Sequence, residues 1–219
     1  MLEFTIRNFN DNDWITAVML LIISMLIFAK MQHQDKFNKT LQLFYNNRYF
    51  LNYSKESNRT FNSFNITFQI IQLLSFSLLG FVLLEKWSVF KNQEFSISFW
   101  NFFFFIAIFF IGKLISIKVI GAIFRFQKLQ NDLIFFKISY LNLIAIYLLP
   151  LTAFLVYGKF INNYIVNISL VYTLFLFFYT YGLILVNNKK IIYNNIFYFI
   201  LYICTLEIAP FLIILKLVF

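Results

Sequence analysis

Six stretches of this chain each run for roughly twenty residues almost without charge, more unbroken apolar sequence than a water-soluble fold can bury. They lie at about 14–30, 64–84, 97–117, 138–157, 165–186 and 192–215. In hydrocarbon every backbone polar group must find its partner inside the protein, so only helices and closed barrels cross a membrane. Barrel strands alternate apolar and polar residues over about ten positions. Segments such as 15–29 and 102–112 show no alternation, which selects helices. Charged residues make up only 12% of the chain against about 25% in soluble domains, and the mean hydropathy is +0.77. The expected fold is an all-α integral membrane protein, a bundle of about six transmembrane helices forming a single domain over residues 1–219.

The basic residues orient that bundle. Twelve of the 18 Lys and Arg fall in the first, third and fifth connections, at Lys30, Lys36, Lys39, Arg48, Lys55, Arg59, Lys118, Arg125, Lys128, Lys137, Lys189 and Lys190. Five stand on the opposite side, and Lys113 sits inside a span. Lys and Arg accumulate in cytoplasmic loops, so both termini are expected in the periplasm. The net charge of +9 then reflects topology, and no nucleic-acid partner is expected. The leader carries Glu3, Asp11 and Asp13 in place of a positive segment and does not read as a signal peptide. Trp14, Trp87 and Trp100 fall at span ends, where indole rings anchor at the headgroup zone. The connection 31–63 is the longest, and the spacing of Phe37, Leu41 and Phe44 beside lysines suits a helix lying on the anionic leaflet.

Few residues carry chemistry. Glu207 lies about 22 Å into the last span, deep in the bilayer, where an ionisable group is a functional-site hypothesis by default. Pro210 withholds an N–H from the Leu206 carbonyl, which leaves a polar spot beside that carboxyl, and Cys204 precedes it on the same span. Glu207 reads either as a proton-coupled or ligand-binding carboxylate or as a protonated structural group bonded to a neighbouring helix. Gln69, Gln72, Ser75 and Ser77 form a polar stripe of the kind that makes helix–helix hydrogen bonds. Lys113 is expected to snorkel to the cytoplasmic interface. Lys137, Tyr140 and Asn142 stand where the fourth span leaves the cytoplasm, as an interfacial anchor or a contact for a lipid phosphate.

With one His and one Cys, clustered-imidazole and thiol metal sites and disulfides are excluded within the chain. No phosphate-binding loop, nucleophile elbow or metalloprotease motif occurs, so neither catalysis nor a cofactor is expected.

The runs 137–143 (KISYLNL) and 197–216 (FYFILYICTLEIAPFLIILK), with Tyr181-Gly182, resemble a Bacteroidota membrane family, the domain of unknown function 4271. Asn12-Asp13-Trp14, the runs 48–51 and 72–79, and Ile120-Gly121 with Ile123-Phe124 fit the same pattern, whereas Leu141 stands where the family leads one to expect Arg. The resemblance implies a multi-pass protein of the inner membrane and assigns no activity. Missing catalytic groups, an aromatic-rich lipid face and basic loops lead to the expectation of a non-enzymatic accessory subunit with membrane-protein partners. The alternative is a transporter or flippase, for a polyprenyl-linked sugar or a proton-coupled solute, working through Glu207.

Overall fold

Six helices, and no strand, account for the regular structure among the described residues. A computed structural model describes residues 13–45, 50, 53, 62–86, 98–123, 127–158 and 161–187. The helices are α1 (Asp13–Gln32), α2 (Gln34–Leu41), α3 (Ser63–Lys86), α4 (Phe99–Ile123), α5 (Gln127–Tyr157) and α6 (Asn163–Asn187). Four helical stretches are long and apolar enough to cross a membrane: α1, α3, the Ile134–Tyr157 part of α5, and α6. They are the signature of a membrane protein.

Ring contacts and hydrogen bonds fix the helix directions. Trp14 at the start of α1 lies 5.3 Å from Phe81 near the end of α3, while His33 Nε2 just after α1 lies 3.1 Å from Ser63 Oγ at the start of α3. These two helices are therefore antiparallel. Phe76 meets Phe110 and Phe81 meets Phe99, so α4 also runs antiparallel to α3. Tyr157, the last residue of α5, donates a 2.8 Å hydrogen bond to Thr16 Oγ1 on α1. At the opposite end Asn187, the last residue of α6, donates to the Tyr140 hydroxyl of α5 at 2.9 Å. One end of the bundle thus carries Trp14, Phe81, Phe99, Trp100 and Tyr157, and the other carries Lys30, His33, Ser63, Tyr140 and Asn187.

The molecule is built apolar outside and mixed inside. Helix α3 is the hub, packing against α1, α4, α5 and α6. Its Asn65, Gln72, Ser75 and Ser77 are all buried, whereas Leu20, Ile27, Phe105, Ile108, Phe175 and Phe178 on outer helices are 55–73% exposed. Lipid tails solvate such side chains as well as a core does, so nothing drives them inward. Polar groups gather inside because each would be costly against hydrocarbon. Most interior hydroxyls bond a carbonyl of their own helix: Ser77 to Leu74, Ser139 to Phe135, Thr152 to Leu149, Ser169 to Val166, Thr173 to Leu170 and Thr180 to Phe177. The polar stripe of α3 was expected to bond across helices. Its Ser77 instead bonds within its own helix, the usual local alternative for a hydroxyl one turn below a carbonyl.

Two helices run on beyond their apolar spans: α5 begins at Gln127, ahead of the span expected from about residue 138, and α4 continues to Ile123. Lys118, Lys128 and Lys137 therefore stand on helices. The stretch QKLQNDLIFFK holds no Gly or Pro and many good helix formers, so the helix continues beyond its apolar part. At 31 residues α5 is about 46 Å long, well beyond a hydrocarbon core of about 30 Å. Within it Pro150 has no N–H for the Ile146 carbonyl.

Helix α2 follows α1 after a single non-helical residue, His33, and its apolar face is docked on the bundle. Phe37 lies 6.0 Å from Phe68, and Phe44 just beyond α2 lies 5.3 Å from Tyr147 and 5.5 Å from Tyr179. Lys36 and Lys39 place their ammonium groups 4.6 and 5.2 Å from the Tyr53 ring centroid.

Candidate functional site: a cavity between four helices

The feature best suited to hold a ligand is a cavity of about 520 Å³ between α3, α4, α5 and α6. That volume lies in the range of about 300–1,000 Å³ usual for small-ligand sites. Gly80 lines it without a side chain where α3 comes so close to α4 that a Cβ would lie 3.0 Å from the Phe102 ring. The rings of Phe76, Phe110 and Phe177 form its wall, with Phe76 6.1 Å from Phe110 and 5.6 Å from Phe177.

Each helix contributes a graded set of side chains. Helix α3 lines the cavity with Gln69 and Gln72, then with Phe76 and Gly80. Helix α4 runs the other way and contributes Lys113, then Phe110 and Ile106. Helix α5 supplies Lys137, then Leu141 and Leu148, and α6 supplies Tyr181, then Phe177 and Thr173. Because α3 and α5 run opposite to α4 and α6, the polar member of each set falls at the same end, that of Tyr140 and Asn187. The ammonium of Lys137 lies 5.4 Å from the Tyr181 ring centroid, which joins α5 and α6 at that end. No Asp or Glu occurs among the described lining residues.

Gln69, Gln72, Lys113 and Lys137, scattered over three spans in the sequence, are thus brought to one cavity. Lys113 lines that cavity, whereas the sequence suggested only a snorkelling interfacial lysine. Lys137, Tyr140 and Asn142 share no site. Tyr140 is 1% exposed and packs with Leu43, Phe50 and Phe135. Asn142 is also 1% exposed, and neither amide atom has a hydrogen-bond partner. Ser75, fully buried on α3, has an unpartnered hydroxyl as well. Trp14 stacks against Phe99 at 4.8 Å, and Trp100, 59% exposed, sits 5.6 Å from the same ring. Trp87, Cys204, Glu207 and Pro210 lie outside the described residues.

Sequence reading passed over Tyr181, Phe177 and Gly80 as site residues. A signal was available: counted from the basic end of its span, Tyr181 stands at a depth similar to Lys113. Among the described residues no three His, Cys, Asp or Glu side chains come together as metal ligands. The arrangement can hold a hydrocarbon chain against its phenylalanines and a polar head at its lysine end.

No curated protein and no solved structure matches the chain. The family model described as Domain of unknown function (DUF4271) matches residues 15–218, nearly the whole chain, and the protein belongs to that family.

Proposed function

We propose that the protein binds an amphiphile inside its helix bundle and works without catalysis, in the inner membrane of a bacterium with two membranes. The observation that carries this reading is the graded cavity of about 520 Å³, apolar for most of its length and polar at one end. A site for a water-soluble solute would distribute its polar groups around the ligand. A chain-like apolar body with one polar head requires this segregation. The gathering of Lys30, Lys36, Lys39, Lys113 and Lys137 toward one end supports a cytoplasmic placement of that end, with the Trp14 end and both termini periplasmic.

The test is to purify the protein in mild detergent and identify bound lipids by native mass spectrometry. A lipid or other amphiphile retained at one per chain is expected, and its loss in Leu141→Trp, at a position that lines the cavity, would locate it there. A chain that carries no amphiphile under conditions that preserve its fold would overturn the reading.

A second reading, an accessory subunit of a membrane assembly, rests on a different observation. Helix α4 turns Trp100, Phe104, Phe105 and Ile108 outward, each 58–71% exposed. Such an aromatic ridge suits a neighbouring transmembrane helix as well as lipid. Affinity purification at native expression is expected to return a stoichiometric membrane partner, lost on Phe104→Ala/Phe105→Ala. Recovery of this chain alone would remove that reading.

A further inference from the structure

A buried carboxamide in the cavity wall indicates which polar chemistry the occupant carries. We infer that the amphiphile presents an uncharged group that both donates and accepts hydrogen bonds, an amide or a hydroxyl, and that Gln72 recognises it. The inference rests on the amphiphile-binding reading and specifies its ligand.

Gln69 and Gln72 stand three residues apart on α3, so they share a helix face, and both line the cavity. Gln72 is only 3% exposed, yet no hydrogen bond ties its side chain to another group among the described residues. Interior hydroxyls avoid that state by bonding their own helix, as Ser77 does to Leu74 and Thr173 to Leu170. The longer carboxamide of Gln72 is turned to the cavity instead. It carries two N–H donors and an acceptor oxygen, and in a low-dielectric interior each is costly to leave without a partner. A hydroxyl or an amide satisfies both kinds of atom at once. An ionised carboxylate only accepts and would face the carboxamide oxygen with like charge, and a quaternary ammonium does neither. Lys113 and Lys137 line the same cavity but already interact with other groups of the protein, so recognition is assigned to the carboxamide. Phe76 follows Gln72 by about one helical turn, and its ring adjoins those of Phe110 and Phe177. A polar group seated at Gln72 therefore leads its hydrocarbon body straight onto the aromatic wall.

The experiment uses the full chain in phosphatidylcholine nanodiscs, with probes that share a decanoyl body: decanamide, monodecanoylglycerol and methyl decanoate. The last accepts hydrogen bonds and donates none. Occupancy is read by native mass spectrometry at matched probe concentrations in the disc. Wild type is expected to prefer decanamide or monodecanoylglycerol to methyl decanoate by about tenfold. Gln72→Met keeps the length of the side chain and removes its polar atoms. It should abolish the preference while binding methyl decanoate as wild type does, which also reports that the variant is folded. Gln72→Asn keeps the carboxamide but withdraws it from the cavity, and should weaken the preference without abolishing it. Tighter binding of decanamide would assign the amide, and tighter binding of monodecanoylglycerol the hydroxyl. Equal binding of all the probes by wild type would mean that water satisfies Gln72; it would overturn this inference and leave the amphiphile reading standing. A preference unchanged in both Gln72 variants would overturn the inference in the same way. Failure of folded wild type to bind any of the probes would overturn the amphiphile reading as well.

Discussion

Lys137 of α5 holds its ammonium 5.4 Å from the ring centroid of Tyr181 on α6, and both residues line the same cavity. The pair couples two helices that the hydrogen bond from Asn187 to Tyr140 also joins at the same end. A cation over an aromatic face contributes about 0.5–2 kcal/mol, more when water is excluded. Tyr181→Leu removes the π face and should lower stability in detergent by about 1 kcal/mol. Tyr181→Phe keeps the face and should cost markedly less. Denaturation curves of the two variants check this, and equal losses would mean that the hydroxyl, not the ring, holds the helices.

Asn142 and Ser75 give a prediction of opposite sign. Both are buried on helices that pack against one another, and their side-chain polar atoms are unpartnered. A buried polar group without a partner costs about 1–3 kcal/mol, and apolar replacement of similar shape removes that cost. Ser75→Ala and Asn142→Leu should therefore leave stability unchanged or raise it, the latter by about 1–2 kcal/mol. Thermal unfolding of each variant decides. A loss above about 1 kcal/mol in Asn142→Leu would reveal a ligand or partner for that amide.

At Gly80 two effects oppose each other. Alanine gains about 1 kcal/mol of helix propensity over glycine, but its Cβ would sit 3.0 Å from Phe102 Cε1 and Cζ. A ring edge can yield by a few tenths of an ångström, so Gly80→Ala should be close to neutral. Gly80→Leu must displace the ring and should destabilise by about 1–3 kcal/mol. Paired stability measurements check the contrast, and a large loss already in Gly80→Ala would show the ring to be fixed.

Trp14 anchors the other end, meeting Phe81 at 5.3 Å and Phe99 at 4.8 Å. Each aromatic pair contributes about 0.5–1.5 kcal/mol beyond burial, so Trp14→Ala should cost about 3 kcal/mol and Trp14→Phe about 1 kcal/mol. Hydrogen exchange offers a local readout: the first turns of α1 and α4 should lose protection in Trp14→Ala while the His33 end keeps it.

How far the sequence disclosed these relationships depends on what lipid allows. A helix facing hydrocarbon must be apolar whatever its neighbours, so the long apolar helices are legible in hydropathy alone. Which side of each helix faces inward is not. On α1, Ile15, Met19 and Ile22 are buried while Leu20, Leu21 and Ile23 are exposed, and the two sets are chemically alike. Polar residues are better guides: the burial of Gln72, Ser75 and Asn142 follows from the cost of exposing them to lipid. That Lys113 and Lys137 line one cavity depends on which helices are neighbours, and no local pattern encodes that. Helix α5 begins ahead of its apolar span because hydropathy marks where a membrane ends, whereas helical propensity continues through Gln127–Leu133. The sequence's strongest single candidate, Glu207, falls outside the described residues.

Hydrogen bonds between helices tie both rims of the described bundle: Tyr157 to Thr16 at one, Asn187 to Tyr140 and His33 with Ser63 at the other. Between them Ser77, Thr152, Ser169 and Thr173 turn back onto their own helices. The bundle is therefore hooped like a cask, tied top and bottom. On the amphiphile-binding reading, a hydrocarbon tail would pass sideways between the staves into the cavity while both rims stay fastened.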